Sequence, residues 1–186
     1  LEGTPIGFDK WSKLESIVAF HERYVRVRKD TLESPTGDKT DYVYLEDEIP
    51  GTVIVLAITD NQEIILVKQF RYAIQEHQYN LPGGVIDMGE APEQAAQREL
   101  REETGALADT WIPAGMYHPM ASHHTRKTYL FIAKGLTFGC QAPDPYEDLV
   151  IELRPAQVVI DHILEGHYTD LELSYAVLYG RAKGYI

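Results

Sequence analysis

The chain has 186 residues, 44% of them hydrophobic and 25% charged, with a formal net charge of −12. That composition fits one soluble globular domain with a substantial core. The acidic balance argues against sequence-independent binding to nucleic acid and against an anionic membrane surface, and no apolar run reaches spanning length. The single cysteine, Cys140, rules out an internal disulfide framework and fits a reducing, cytoplasmic compartment. It has no activating neighbour and reads as a small buried or loop residue rather than a nucleophile. No basic-then-apolar leader opens the sequence, and Leu1 in place of an initiator Met points to processing or editing.

Residues 1–15 are mixed, broken by Pro5 and Gly7, with Trp11 as the one large anchor. Residues 16–29 are rich in Val, Tyr and Phe, and the alternation from Tyr24 to Arg28 predicts a half-exposed strand. Pro35, Gly37 and polar neighbours predict a loop over residues 30–39, and residues 41–46 return as a partner strand. Residues 16–47 thus read as a small antiparallel sheet ahead of a larger fold. The apolar run 51–59, the turn Asp60-Asn61 and the run 63–70 read as a hairpin at the centre of a sheet. Residues 73–80 are polar and read as irregular, and Leu81-Pro82-Gly83-Gly84 as a turn.

Residues 90–104 are the strongest helix signal: Pro92 sits in the first turn, where its missing N–H costs nothing, and Gly105 sits where a C-terminal glycine belongs. Strands are expected over 110–116, 127–133 and 149–153, with a loop over 136–148. Helical spacing recurs in 156–165, ended by Gly166, and in 170–183, ended by Gly184. This order predicts an α/β (α+β) fold, a mixed sheet sandwiched between helices.

The chemistry concentrates in residues 84–106. Glu99, Glu102 and Glu103 stand at i, i+3 and i+4, so a helix projects all three carboxylates from one face. Like charges at that spacing repel, and a hard divalent cation relieves the repulsion; clustered carboxylate oxygens suit Mg2+, with Mn2+ as substitute. A solvated charged helix is the bland alternative. Against it stand the close-approach glycines Gly83 and Gly84 and the small apolar face of Ala91, Ala95, Ala96 and Leu100.

Gly84, Glu90, Arg98, Glu99, Leu100, Glu102, Glu103 and Gly105 match, at the correct spacing, the signature box of the Nudix hydrolases, which the chain therefore resembles. Chance agreement at seven of these positions is on the order of one in a hundred million per window at ordinary residue frequencies. Ala106 departs from the box, where a larger aliphatic residue is usual. The sheet-forming N-terminal segment, the strand ending Gln69-Phe70-Arg71-Tyr72, the LPGG turn and the loop ending Glu147-Asp148-Leu149 resemble the ADP-ribose pyrophosphatase branch.

That resemblance implies a Nudix fold over residues 48–186 and an N-terminal sheet, residues 1–47, that builds a homodimer. It implies Glu99, Glu102 and Glu103 as metal ligands, with the Gly83 carbonyl as an extra one. Glu90, Arg98, Gly84 and Gly105 support that site. Arg71 takes a phosphate contact, a role its guanidinium fork suits; Tyr72, like Tyr24 and Tyr44, could stack on adenine. The general base is Glu147 or one of the box glutamates, Glu102 or Glu103. The segment from His118 to Arg126, with His123 and His124 adjacent, departs from the branch pattern; its spacing does not suit zinc, and it is either a polar loop or a contact to the distal group of the substrate.

The expected function is Mg2+-dependent hydrolysis of a nucleoside diphosphate-linked compound, with ADP-ribose, giving AMP and ribose 5-phosphate, as the leading substrate. Alternatives are GDP-mannose, ADP-glucose, NADH or a dinucleoside polyphosphate. The rival of a different class is an inactive nucleotide-sensing module, against which stand the intact acidic positions of the box.

Overall fold

A computed structural model describes residues 7–23, 25–140 and 149–186. They fall into two compact units, one reaching to Glu48 and including Met120–Arg126, the other Ile49–Pro119 with Lys127–Ile186. No helix among the described residues is long and apolar enough to cross a membrane.

The first unit is an antiparallel sheet of β1 (Ser12–Glu22), β2 (Val25–Glu33) and β3 (Lys39–Leu45), in that order. The stretch expected as one strand over 16–29 is two strands. Arg23, at φ 49°, lies in the bend between them, and because no glycine or proline marks that bend the sequence does not announce it. β2 also runs on to Glu33, into the expected loop, leaving residues 34–38 as the turn. There the Ser34 hydroxyl accepts the N–H groups of Thr36 and Asp38.

Alternation gives this sheet two unlike faces. Register places Ile17, Lys29 and Val43 in one row and Phe20, Val27 and Leu45 in another on the same side. Phe20 is 54% and Val43 51% exposed. The opposite side carries Asp30, Arg28, Tyr42 and Tyr44; the Ser16 and Tyr44 hydroxyls donate to Asp30, and Arg28 donates to Ser16. The Met120–Arg126 segment joins the edge of β3, with Leu45 donating to the His123 carbonyl and accepting from the Thr125 N–H.

The second unit holds two sheets. β4 (Thr52–Ala57) lies between β7 (Gly83–Val85) and β9 (Thr128–Phe138), and β8 (Ala106–Tyr117) pairs with β9. β4 runs antiparallel to β7 and parallel to β9. β5 (Glu63–Arg71) is the centre of the other sheet, between β10 (Leu149–Pro155) and β6 (Glu76–Asn80). The hairpin expected from β4 and β5 is therefore corrected: they share the turn and a single bridge, Ile58 with Ile64, and then part into different sheets. β4 is apolar and buried from Val53 to Ala57 and β5 from Ile64 to Val67, because these stretches are covered on two faces, and such runs do not name their neighbours. Residues 76–80, read as irregular, are strand β6; polar side chains suit an edge strand, whose pattern carries little hydrophobic signal.

β4 shows the layering. Ile54, Leu56 and Ile58 enter one apolar cluster with Val159, Ile160, Leu173 and Val177 from the helices α2 (Ala156–Leu164) and α3 (Leu171–Ala182). Val53, Val55 and Ala57 enter a second with Ala95, Ala96 and Leu100 of α1 (Pro92–Thr104). α1 starts without a side-chain cap from Ala91, but the Ala91 N–H donates to Gln94, half of a capping box. It ends at Gly105, left-handed at φ 70°, whose N–H returns to the Arg101 carbonyl. Ala106, the position that departs from the box, is fully buried in the α1 cluster.

Candidate active site

α1 presents its buried alanines and Leu100 to the core, and the same periodicity leaves Glu99, Glu102 and Glu103 beside β7. The residues lie on a cavity of about 580 Å3 that Arg71, Gly83, Gly84 and Arg98 also line. Gly83 pairs with Ile54 in the ladder, and a Cβ there would strike the Val53 carbonyl. A Cβ on Gly84 would strike the Glu99 carboxylate. Both glycines are required by close approach, the first to β4 and the second to the Glu99 carboxylate.

Arg98 organises the acidic groups. Its Nε and Nη2 each donate to Glu90 at 3.0 Å, its Nη1 to Glu99 at 2.8 Å and Glu102 at 3.2 Å, and its Nη2 to the Val85 carbonyl at 2.9 Å. Those bonds, first to Glu90 and then to Glu99 and Glu102, hold the guanidinium above its ordinary pKa against the opposing effect of burial. The same Arg98 bonds hold Glu90 below the usual carboxylate range; burial opposes this and the Asp87 N–H adds to it. Glu103, 7% exposed, accepts the Gly83 N–H at 2.9 Å and so ties the C-terminal half of α1 to β7.

The donors fit a hard divalent cation: they are carboxylate oxygens, and Gly84 leaves the space in which Glu99 sits. Among the described residues, no three His, Cys, Asp or Glu side chains converge closely enough to hold a metal as they stand. Glu99 and Glu102 instead bond Arg98, and Glu103 bonds a backbone amide. A cation would compete with Arg98 for the oxygens of Glu99 and Glu102.

Arg71 reaches the cavity from the end of β5, while Tyr72, 82% exposed, is not among the lining residues. Glu147 and Tyr24 lie outside the described residues. Tyr44 belongs to the N-terminal unit, where its hydroxyl faces Asp30. His123 and His124 are in that unit too: His124 Nδ1 accepts the Arg126 N–H at 3.0 Å, and Arg126 pairs with Asp47.

The sequence reading missed Gln69, Asn80 and Asp87, which also line the cavity. Gln69 was recoverable, since it shares a strand face with Arg71. Asn80 was hidden in a segment, EHQYN, that carries no apolar alternation to mark it as a strand.

This constellation can gather a polyanion: carboxylates for a cation on one wall and a guanidinium on another. The NUDIX domain family matches residues 48–148, a span that includes the whole of α1, β7 and β5. The chain belongs to the NUDIX family. A relative named ADP-ribose pyrophosphatase, from Bacillus subtilis, is 28% identical over 168 residues, 88% of this chain and 89% of that protein. Another, named methanol dehydrogenase activator, from Bacillus methanolicus, is 30% identical over 159 residues, 84% of this chain and 82% of the relative. A crystal structure described as an ADP compounds hydrolase shares the NUDIX fold at a TM-score of 0.87 and 22% identity, over 98% of both chains.

Proposed function

We propose that the protein hydrolyses the diphosphate of a nucleoside diphosphate-linked compound with Mg2+, ADP-ribose being the leading substrate. The observation that carries this reading is the shared cavity, in which Arg71 faces the same space as Glu99, Glu102 and Glu103. Mn2+ is the expected substitute. In this reading Glu99, Glu102 and Glu103, with the Gly83 carbonyl, hold the cation, and Arg98 and Glu90 orient the carboxylates. The cation supplies charge neutralisation and polarisation of the diphosphate. Arg71 holds a phosphate through its fork, and Glu147 or a box glutamate takes the proton of the attacking water. Water adds at phosphorus, one P–O bond of the bridge breaks, and the two phosphates leave as AMP and ribose 5-phosphate.

The test is incubation with Mg2+ and ADP-ribose, beside GDP-mannose, ADP-glucose and NADH, with products separated by chromatography. AMP and ribose 5-phosphate are expected; turnover of none of these would replace the enzyme with a nucleotide-binding module. A second reading keeps the same chemistry and takes the dinucleotide NADH as the compound. Preference for NADH over ADP-ribose in the same experiment would select it.

The cellular setting proposed is the cytoplasm. The assembly proposed is a homodimer built by the N-terminal segment, residues 1–47. The exposed side chains of Ile17, Phe20 and Val43 on one sheet face support it, as such a patch is usually covered. Light scattering should give twice the 21.1 kDa chain mass, and Val43→Asp should return the single-chain value; a monomeric parent protein would remove the dimer.

A further inference from the structure

The guanidinium of Arg71 is held in place by a neutral partner. Its Nε and Nη2 donate to Asn80 Oδ1 at 3.2 and 2.9 Å. An arginine can only donate, so the Asn80 amide must present its oxygen here. The ladder makes the choice of partner informative. Arg71 stands opposite Glu76, and Gln69 opposite Gln78, while Asn80 is opposite Val67, further down the pair. These residues share one face, yet both bonds of the guanidinium run back along β5 to the distant amide rather than across to the adjacent carboxylate. Asn80 is 8% exposed, and both residues line the cavity that holds Glu99, Glu102 and Glu103.

A carboxylate acceptor would cancel the charge of Arg71 and add another negative group to an acidic cavity. A neutral amide aims the fork and leaves the full positive charge for an incoming anion. We propose that Asn80 is a positioning residue for substrate: it orients Arg71 toward the diphosphate without neutralising it. This rests on the reading of Arg71 as a phosphate contact.

Asn80→Asp and Asn80→Leu separate the two parts of the claim, and ADP-ribose binding is measured by calorimetry in EDTA, where hydrolysis does not intervene. Asn80→Asp keeps the shape and cancels the charge; affinity should fall about tenfold and its salt dependence should flatten. Asn80→Leu keeps the charge and frees the fork; affinity should fall by a similar factor with salt dependence retained. Arg71→Ala should be at least as weak as either, and adding Asn80→Leu to it should change nothing more. Melting curves confirm that each variant is folded, and the near-isosteric aspartate serves if the leucine variant is not.

Unchanged affinity in Asn80→Asp, or multiplying effects in the double variant, would overturn the positioning role alone. Unchanged affinity in Arg71→Ala, or no binding by the parent protein, would overturn it together with the phosphate role of Arg71. Hydrolysis with Mg2+, assayed separately, decides the proposed activity independently of either result.

Discussion

The N-terminal sheet and helix α1 both carry dense charge, and they dispose of it in opposite ways. On the sheet, Arg26 pairs with Glu46 and Glu48, Arg28 with Glu46, Lys29 with Asp41 and Lys39 with Glu33. Cations and anions there answer one another, and Asp30 is met by the hydroxyls of Ser16 and Tyr44. On α1 the Arg98 guanidinium serves Glu90, Glu99 and Glu102, Arg101 adds a contact to Glu102 at 3.6 Å, and the cavity wall sets four carboxylates against Arg71 and Arg98. A closed network stabilises the fold and asks for no ligand. Negative charge left in excess on a helix costs stability until something positive arrives, and that excess is what sets α1 apart from the sheet.

Removing one carboxylate tests the functional side of this contrast most strongly. Glu103→Gln keeps an oxygen for the Gly83 N–H, so the fold and melting temperature should hold, while kcat should fall about a thousandfold as cation binding is lost. Steady-state hydrolysis with Mg2+ measures it, and full activity would remove Glu103 from the ligand set. The structural side is tested by Asp30→Ala. Ser16 and Tyr44 would lose their acceptor, and unfolding should become easier by about 1–3 kcal/mol in a denaturant titration.

The sharper test is a difference in sign. Glu102→Gln in EDTA relieves repulsion between neighbouring carboxylates and keeps an oxygen facing Arg98. Stability should be unchanged or rise by about 0.5 kcal/mol, while activity with Mg2+ falls. A loss as large as that of Asp30→Ala would erase the distinction between the two regions.

How much of this was legible in the sequence follows the same division. α1 could be read because local rules fix it: Pro92 at its start, Gly105 at its end, buried alanines on one side and glutamates at i, i+3 and i+4 on the other. The architecture around it was legible as a set of apolar runs, but not the parting of β4 from β5, since a strand buried on both faces gives no hint of its partners. Asn80 escaped because its role is a cross-strand relation to Arg71, set by the register of an edge strand with no apolar alternation. The joining of Met120–Arg126 to β3 escaped because it is made by backbone groups of Leu45, which any side chain permits.

The smallest effect concerns how the closed network treats a group that could ionise. His124 Nδ1 accepts the Arg126 N–H at 3.0 Å, and its Nε2 stands 3.7 Å from an Asp47 oxygen. Burial lowers its pKa below 6.5; Asp47 pulls it up, and the Arg126 charge pushes it down again. A depressed folded pKa means that the unfolded chain takes up this proton first as pH falls. The contribution of neutral His124 to stability is therefore complete above 6.5 and is lost toward the folded pKa. Proton NMR should show the His124 ring titrating below 6.5, and His124→Asn should flatten the decline in melting temperature between about pH 7 and pH 5. A midpoint above 6.5 would mean that Asp47 outweighs burial and that the ring is charged. The N-terminal sheet would then hold an unbalanced cation of its own, and its contrast with α1 would be one of sign rather than of closure.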